Sequence, residues 1–213
     1  MTNSNHDGED ALVSYLTLRR VVGVLGILLP VLLAVGCFVL GSCTELERSI
    51  SHYYGTGMRD VLVGVLFAIA WFLFAYRGYD RKDDIAGDLA CIFALAVALF
   101  PTTSDSAVIR TVHVLAAAAL FLTLSYFSLF LFTKTGPDAA PTPEKQIRNR
   151  IYVGCGVIML ACIALIPLYY AFLEDTGLAA LKPVFWLEAL ALWAFGTSWL
   201  IKGETLWKDR PAA

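Results

Sequence analysis

Histidine and cysteine are scarce in this chain, and neither is spaced for metal chemistry. Only His6, His52 and His113 occur in 213 residues. His6 falls in a polar N-terminal segment away from the other two, so a single chain cannot build a three-histidine metal site. The five cysteines include no CxxC pair and are odd in number. Cys37, Cys91, Cys155 and Cys162 lie inside apolar runs and Cys43 ends one, so all read as buried apolar side chains. A secretory signal is missing too, because residues 1–18 (MTNSNHDGEDALVSYLTL) are polar and acidic, without a basic start or cleavage site. Apolar positions run continuously rather than alternating, which excludes a membrane β-barrel. No internal repeat is visible, and that argues against an inverted-repeat transporter. With 16% charged residues and a net charge of −2, nothing supports nucleic-acid binding.

Apolar sequence is what the chain has in abundance. Hydrophobic residues make up 58% and mean hydropathy is +0.68. Six stretches, about 21–43, 60–76, 85–101, 110–133, 151–173 and 182–201, each approach the ~20 residues a spanning helix needs. The expected fold is therefore all-α: a polytopic membrane protein with six transmembrane helices in one compact bundle. A polar segment, 1–18, precedes the helical domain, 19–207, and a short tail, 208–213, follows it. The first apolar run is too long for a signal core and reads as a retained signal anchor. Twelve of the sixteen Lys and Arg fall in the N-terminal segment, the second and fourth loops and the C-terminal tail. The positive-inside bias then places both termini in the cytoplasm.

Small residues recur at helical spacing, as in Ala86, Ala90, Ala94 and Ala98, and along Asp60, Gly64 and Ala68. Such faces let helices approach closely in lipid, within a chain or in a homo-oligomer. Pro30 and Pro167 sit inside spans and are expected to kink them. Asp88, one turn inside the third span, is expected to pair with Arg77, Arg81 or Lys82. Tyrosine and tryptophan (Tyr53, Tyr54, Tyr76, Tyr79, Tyr169, Tyr170, Trp186, Trp207) gather near span ends, as interfacial belts do.

Polar groups collect on the outer side. The loop CTELERSISHYYGTGMRD is the least ordinary stretch, and His113 and Glu188 lie one to two turns inside the fourth and sixth spans. One outward-opening pocket would gather Ser51, His52, Tyr54, Arg59, Asp60, His113 and Glu188. Ionisable groups at membrane depth are costly and usually face a partner inside the bundle. The plain reading is a polar clasp, in which His113 or Arg59 satisfies Glu188 or Asp60. The functional reading is a pocket for a lipid headgroup or small amphiphile. A metal reading would use His52, Asp60, His113 and Glu188 as zinc ligands.

The run SISHYYGTGMRDVLVGVLFAIAWFLFAYRGYD, then ALFPT, the histidine opening the fourth span and PVFWLEALALWAFGTSWLIKGE together resemble an uncharacterised family of small bacterial multi-span membrane proteins. The resemblance covers most of 19–207 and implies a bacterial inner membrane, but it brings no activity. A partial similarity extends to the membrane hydrolases that include alkaline ceramidases and adiponectin-type receptors. Ser51, Asp60 and His113 match some of their roles, while the HxxxH pair of that superfamily is absent. Three functions follow as expectations. The first is a non-enzymatic protein binding membrane lipids or a small amphiphile, as sensor or accessory subunit. The second is a metal-dependent membrane lipid hydrolase, and the third a small channel or transporter. No catalytic signature favours an enzyme.

Overall fold

The structure, a computed structural model, describes residues 3–78, 80–135 and 142–206, with side chains from Tyr15 onward. Tyr79, Trp207, Lys208, Arg210 and the expected tail lie outside the described residues, as does the side chain of His6. All regular elements among the described residues are helical. Six long helices follow in order: α1 (Asn3–Val39), α2 (Arg59–Ala75), α3 (Arg81–Leu99), α4 (Ala107–Tyr126), α5 (Pro143–Phe172) and α6 (Pro183–Lys202). A π turn, Phe127–Leu131, continues α4, and short 3-10 helices occupy Ile50–Gly55 and Gly177–Leu181. Each long helix packs on the next, and α1 also packs on α6.

Four segments are long and apolar enough to cross a membrane: Tyr15–Val39, Ala107–Leu131, Pro143–Phe172 and Pro183–Lys202. The sequence suggested six. Helix α2 has 17 residues and α3 has 19, but α3 opens with Arg81, Lys82, Asp83 and Asp84 and carries Asp88 a turn later, which dilutes its apolar character.

The element ends have local causes. Asp80 caps α3 by accepting from the Lys82 and Asp83 backbone N–H groups, while the Asp83 side chain answers from the third position, forming a capping box. Helix α5 begins earlier than the apolar pattern suggests, because Thr142 accepts from the Lys145 N–H and Pro143 occupies the first turn. Helix α1 stops short of its expected end. The chain reverses at Gly41, whose φ of +66° suits glycine, and brings Cys37 and Cys43 together in a disulfide with Cα atoms 5.3 Å apart. The reading of these two cysteines as separate apolar side chains is corrected by that turn.

Close packing fixes the helix pairs. At the α1–α6 crossing, a Cβ on Gly196 would stand 2.6 Å from the Gly23 carbonyl oxygen. The Ala86, Ala90, Ala94 and Ala98 stripe is buried within the chain, so it serves packing inside the protein. Arg77 reaches Asp88 at 3.5 Å on the surface, an exposed pair that contributes little. Lys134, just past α4, holds the buried Asp83 at 2.9 Å and Asp80 at 3.1 Å. Burial pulls the Lys134 ammonium downward in pKa, yet the two aspartates outweigh it and the net shift is upward. Pro30 and Pro167 lie inside continuous helices.

Candidate functional site

The loops after α1, α3 and α5 meet at one end of the bundle, where hydrogen bonds tie them together. The 3-10 helix Ile50–Gly55 is the centrepiece. Tyr53 is fully buried beside Phe185, with ring centroids 6.2 Å apart. The Thr56 hydroxyl donates to the Tyr53 carbonyl at 2.8 Å. The Phe185 N–H donates to the Arg48 carbonyl at 3.0 Å. Just before α6, Lys182 takes a left-handed conformation (φ +52°) and bonds Glu45 at 3.1 Å, which sets the start of the helix that carries Glu188.

Glu188 pins the 3-10 helix, since its Oε2 accepts from the Ile50 N–H at 2.6 Å. His113, on the second turn of α4, is 5% exposed. Its Nδ1 lies 2.6 Å from the Phe100 carbonyl oxygen and its Nε2 lies 2.9 Å from Ser51 Oγ. A carbonyl can only accept, so Nδ1 carries the proton and Nε2 accepts from the Ser51 hydroxyl. Ser49 Oγ and His52 Nδ1 form a second pair at 2.7 Å. Burial holds the His52 pKa below its usual value, with Glu47 acting the other way and Arg48 adding to the drop.

Three hollows meet at these groups. A small one of about 60 Å³ runs inward between Leu29, Leu62, Leu66, Val97, Leu120 and Leu192. A cleft of about 430 Å³ lies between α4, α5 and α6, walled by Ala117, Phe121, Ile163, Ile166 and Pro167. Ser51, His113 and Glu188 line both. The cleft continues past His52, Thr102 and Tyr170 into a wide mouth of about 890 Å³ that carries Arg48, Arg110, Lys182 and Glu174.

The structure brings together Ser51, His52, Tyr54, His113 and Glu188 from the expected pocket. Arg59 is exposed and holds Tyr54 from outside, donating to its hydroxyl at 3.1 Å with its guanidinium 4.6 Å from the ring centroid. Asp60 is exposed on the first turn of α2 and lines none of these three hollows. Among the described residues no group of three or more His, Cys, Asp or Glu is placed to hold a metal ion. The four proposed zinc ligands are therefore not assembled, because Asp60 faces away and His113 uses both ring nitrogens elsewhere. The clasp takes a different form from the one expected. Glu188 and His113 each bond backbone groups, Ile50 N–H and Phe100 C=O, rather than each other.

Sequence reasoning read Ser49 only as a turn and cap former and passed over Thr102 and the Phe100 carbonyl. Thr102, in PTTSDS, donates to the Ser51 carbonyl at 3.4 Å. A hydroxyl-rich loop facing the 3-10 helix was its only signal. No family model matches the chain, and neither a curated protein nor a solved structure is similar to it. The site has to be interpreted from its own geometry.

Proposed function

We propose that this protein binds a membrane lipid or similar amphiphile in the cleft between α4, α5 and α6, as a sensor or accessory component of the membrane. The observation that carries the reading is the shape and polarity of the cleft. Its volume, about 430 Å³, falls in the range of small-molecule sites, and an apolar wall with a few convergent polar groups is what such sites present. An acyl chain would lie along Ala117, Phe121, Ile163 and Ile166. The polar head would point to the mouth, where Arg48 and Arg110 stand with Glu174 and with Lys182, which is paired to Glu45; the small positive excess suits an anionic headgroup.

In the same reading all six long helices cross the membrane and both termini face the cytoplasm. The basic-residue bias supports this orientation. So does the Cys37–Cys43 disulfide at the opposite end, since disulfides persist in oxidising compartments. Helices α2 and α3 pack between α1 and α4, so they would cross beside them, with the charged first turn of α3 at the inner interface. A bacterial inner membrane is taken from the family resemblance.

Lipids retained by the detergent-purified protein test the reading, compared with an Ala117→Trp variant that fills the cleft. The parent should retain a defined lipid at about one per chain, and the variant should lose it. Equal retention in both, in folded protein, would remove the cleft as the binding site.

A further inference from the structure

The bond between Ser51 and His113 is more than a tether. The 3-10 helix is already held by Glu188 on the Ile50 N–H, by Thr102 on the Ser51 carbonyl and by buried Tyr53. What the His113 bond adds is an activated hydroxyl facing open volume. Ser51 Oγ lies 2.9 Å from Nε2, and the ring is oriented by the Phe100 carbonyl at 2.6 Å from Nδ1. A nucleophile bonded to a base, with the base oriented by a third group, is the arrangement of acyl-transfer sites. Here the third group is a backbone carbonyl. Both side chains line the cleft as well as the inner hollow.

We infer that Ser51 and His113 form a metal-free nucleophile–base pair that cleaves a carboxylic ester of the bound amphiphile. This inference rests on the amphiphile-binding reading above and specifies its chemistry. With the chain in the cleft and the headgroup at the mouth, the ester between them lies near His52 and Thr102, where the cleft opens into the mouth, and Ser51 lines the cleft beside them. Ser51 Oγ attacks the ester carbonyl carbon while its proton passes to His113 Nε2. The resulting imidazolium donates from Nδ1 to Phe100 and faces the leaving oxygen with Nε2–H. Collapse of the tetrahedral adduct breaks the carbon–oxygen bond of the ester, and the departing alkoxide takes the Nε2 proton and leaves as an alcohol. Water from the mouth then attacks the acyl-serine and gives a proton to Nε2, which returns it to Ser51 Oγ. The net change is ester plus water to alcohol plus carboxylic acid. The Thr102 hydroxyl, which donates to the Ser51 carbonyl at 3.4 Å, lines the same cleft, and by turning from that long contact it would donate to the developing oxyanion.

The test treats the full-length protein in detergent with a fluorophosphonate probe and maps the modified residue by peptide mass spectrometry. Binding of a fluorescent diacyl phospholipid in mixed micelles is followed separately. The expected result is phosphonylation at Ser51, abolished by Ser51→Ala and slowed at least a hundredfold by His113→Gln, in keeping with the size of general-base contributions. Both variants should elute as the parent does in size-exclusion chromatography and unfold cooperatively on heating, which shows that they are folded. An unlabelled Ser51 in parent protein that binds the phospholipid overturns the esterase inference and leaves the binding reading standing. A label on Ser49 or another serine, with Ser51 untouched, also overturns it. Absence of both label and phospholipid binding overturns the two readings together.

Discussion

Replacing Glu188 separates a backbone anchor from a charged clasp. The Glu188 carboxylate accepts from the Ile50 N–H at 2.6 Å, while both ring nitrogens of His113 are engaged by Phe100 and Ser51. Glu188→Ala removes the acceptor and leaves a peptide N–H facing an apolar-walled hollow. A hydrogen bond to a charged group contributes about 1.5–3 kcal/mol, and an orphaned donor costs a similar amount. The expected loss is about 2 kcal/mol, or about 4–8 °C in Tm for a chain of this length. Glu188→Gln keeps a carbonyl oxygen in the same place and should lose less than about 1 kcal/mol. Thermal unfolding of the detergent-solubilised parent, both Glu188 variants, His113→Ala and the Glu188→Ala/His113→Ala double variant gives the full set. If Glu188 serves the backbone, the double-variant coupling stays below about 0.5 kcal/mol. A Gln variant as damaged as the Ala variant, or coupling above about 1 kcal/mol, would refute the reasoning and restore a Glu188–His113 charge pair.

Further expectations follow from other parts of the fold. Under non-reducing denaturing conditions a thiol-reactive polymer should add to three cysteines, Cys91, Cys155 and Cys162, and after reduction to five, because Cys37 and Cys43 are joined; five adducts without reductant would rule the disulfide out. Gly196→Ala should destabilise by about 1–3 kcal/mol through overpacking at the α1–α6 crossing, whereas Gly64→Ala, whose Cβ meets nothing within 4 Å, should stabilise by about 0.5–1 kcal/mol; equal Tm values for the two variants would contradict that packing. Burial depresses the His52 pKa below 6.5, so the folded state binds fewer protons than the unfolded chain and loses stability as pH falls through that value. The drop in Tm between pH 7.5 and 5.5 should shrink in His52→Asn, and an unchanged drop would show that His52 does not titrate in this way.

Helix number and order were legible because each long helix contains one apolar run, and a run of that length has few alternatives. The ends were less so. Hydropathy counts residues without regard to backbone geometry, so it carried the first span on to Cys43 and missed the reversal at Gly41. It also started the fifth span at 151, although the Thr142–Pro143 cap lets the polar PEKQIRNR turn join the helix. The π turn at Phe127–Leu131 has no residue that announces it. Asp88 and Arg77 paired as charge and spacing suggested, because Arg77 lies in the α2–α3 loop and Asp88 is two turns into α3, within reach of a long arginine side chain.

At the site, the fold brings together several side chains that the sequence singles out but gives them other partners than expected, and the reason is physical. His113 and Glu188 stand out because polar groups in apolar helices are conspicuous, but each is bonded to backbone, His113 to the carbonyl at Phe100 and Glu188 to the N–H at Ile50. Peptide groups are the same at every position, so no residue code can name them in advance. That substitution of backbone for side-chain partners bears on function. A buried polar group is costly unless it is bonded, and bonding Glu188 and His113 to peptide groups meets that cost without joining the two to each other. It leaves His113 Nε2 and Ser51 Oγ as the pair directed at the cleft. If this end of the bundle had only to hold helices together, apolar side chains filling the cleft would do so with more buried surface and no polar groups to satisfy. Keeping an open, apolar-walled volume beside a hydroxyl and an oriented imidazole sacrifices packing, and such a sacrifice is accounted for when a ligand fills the space.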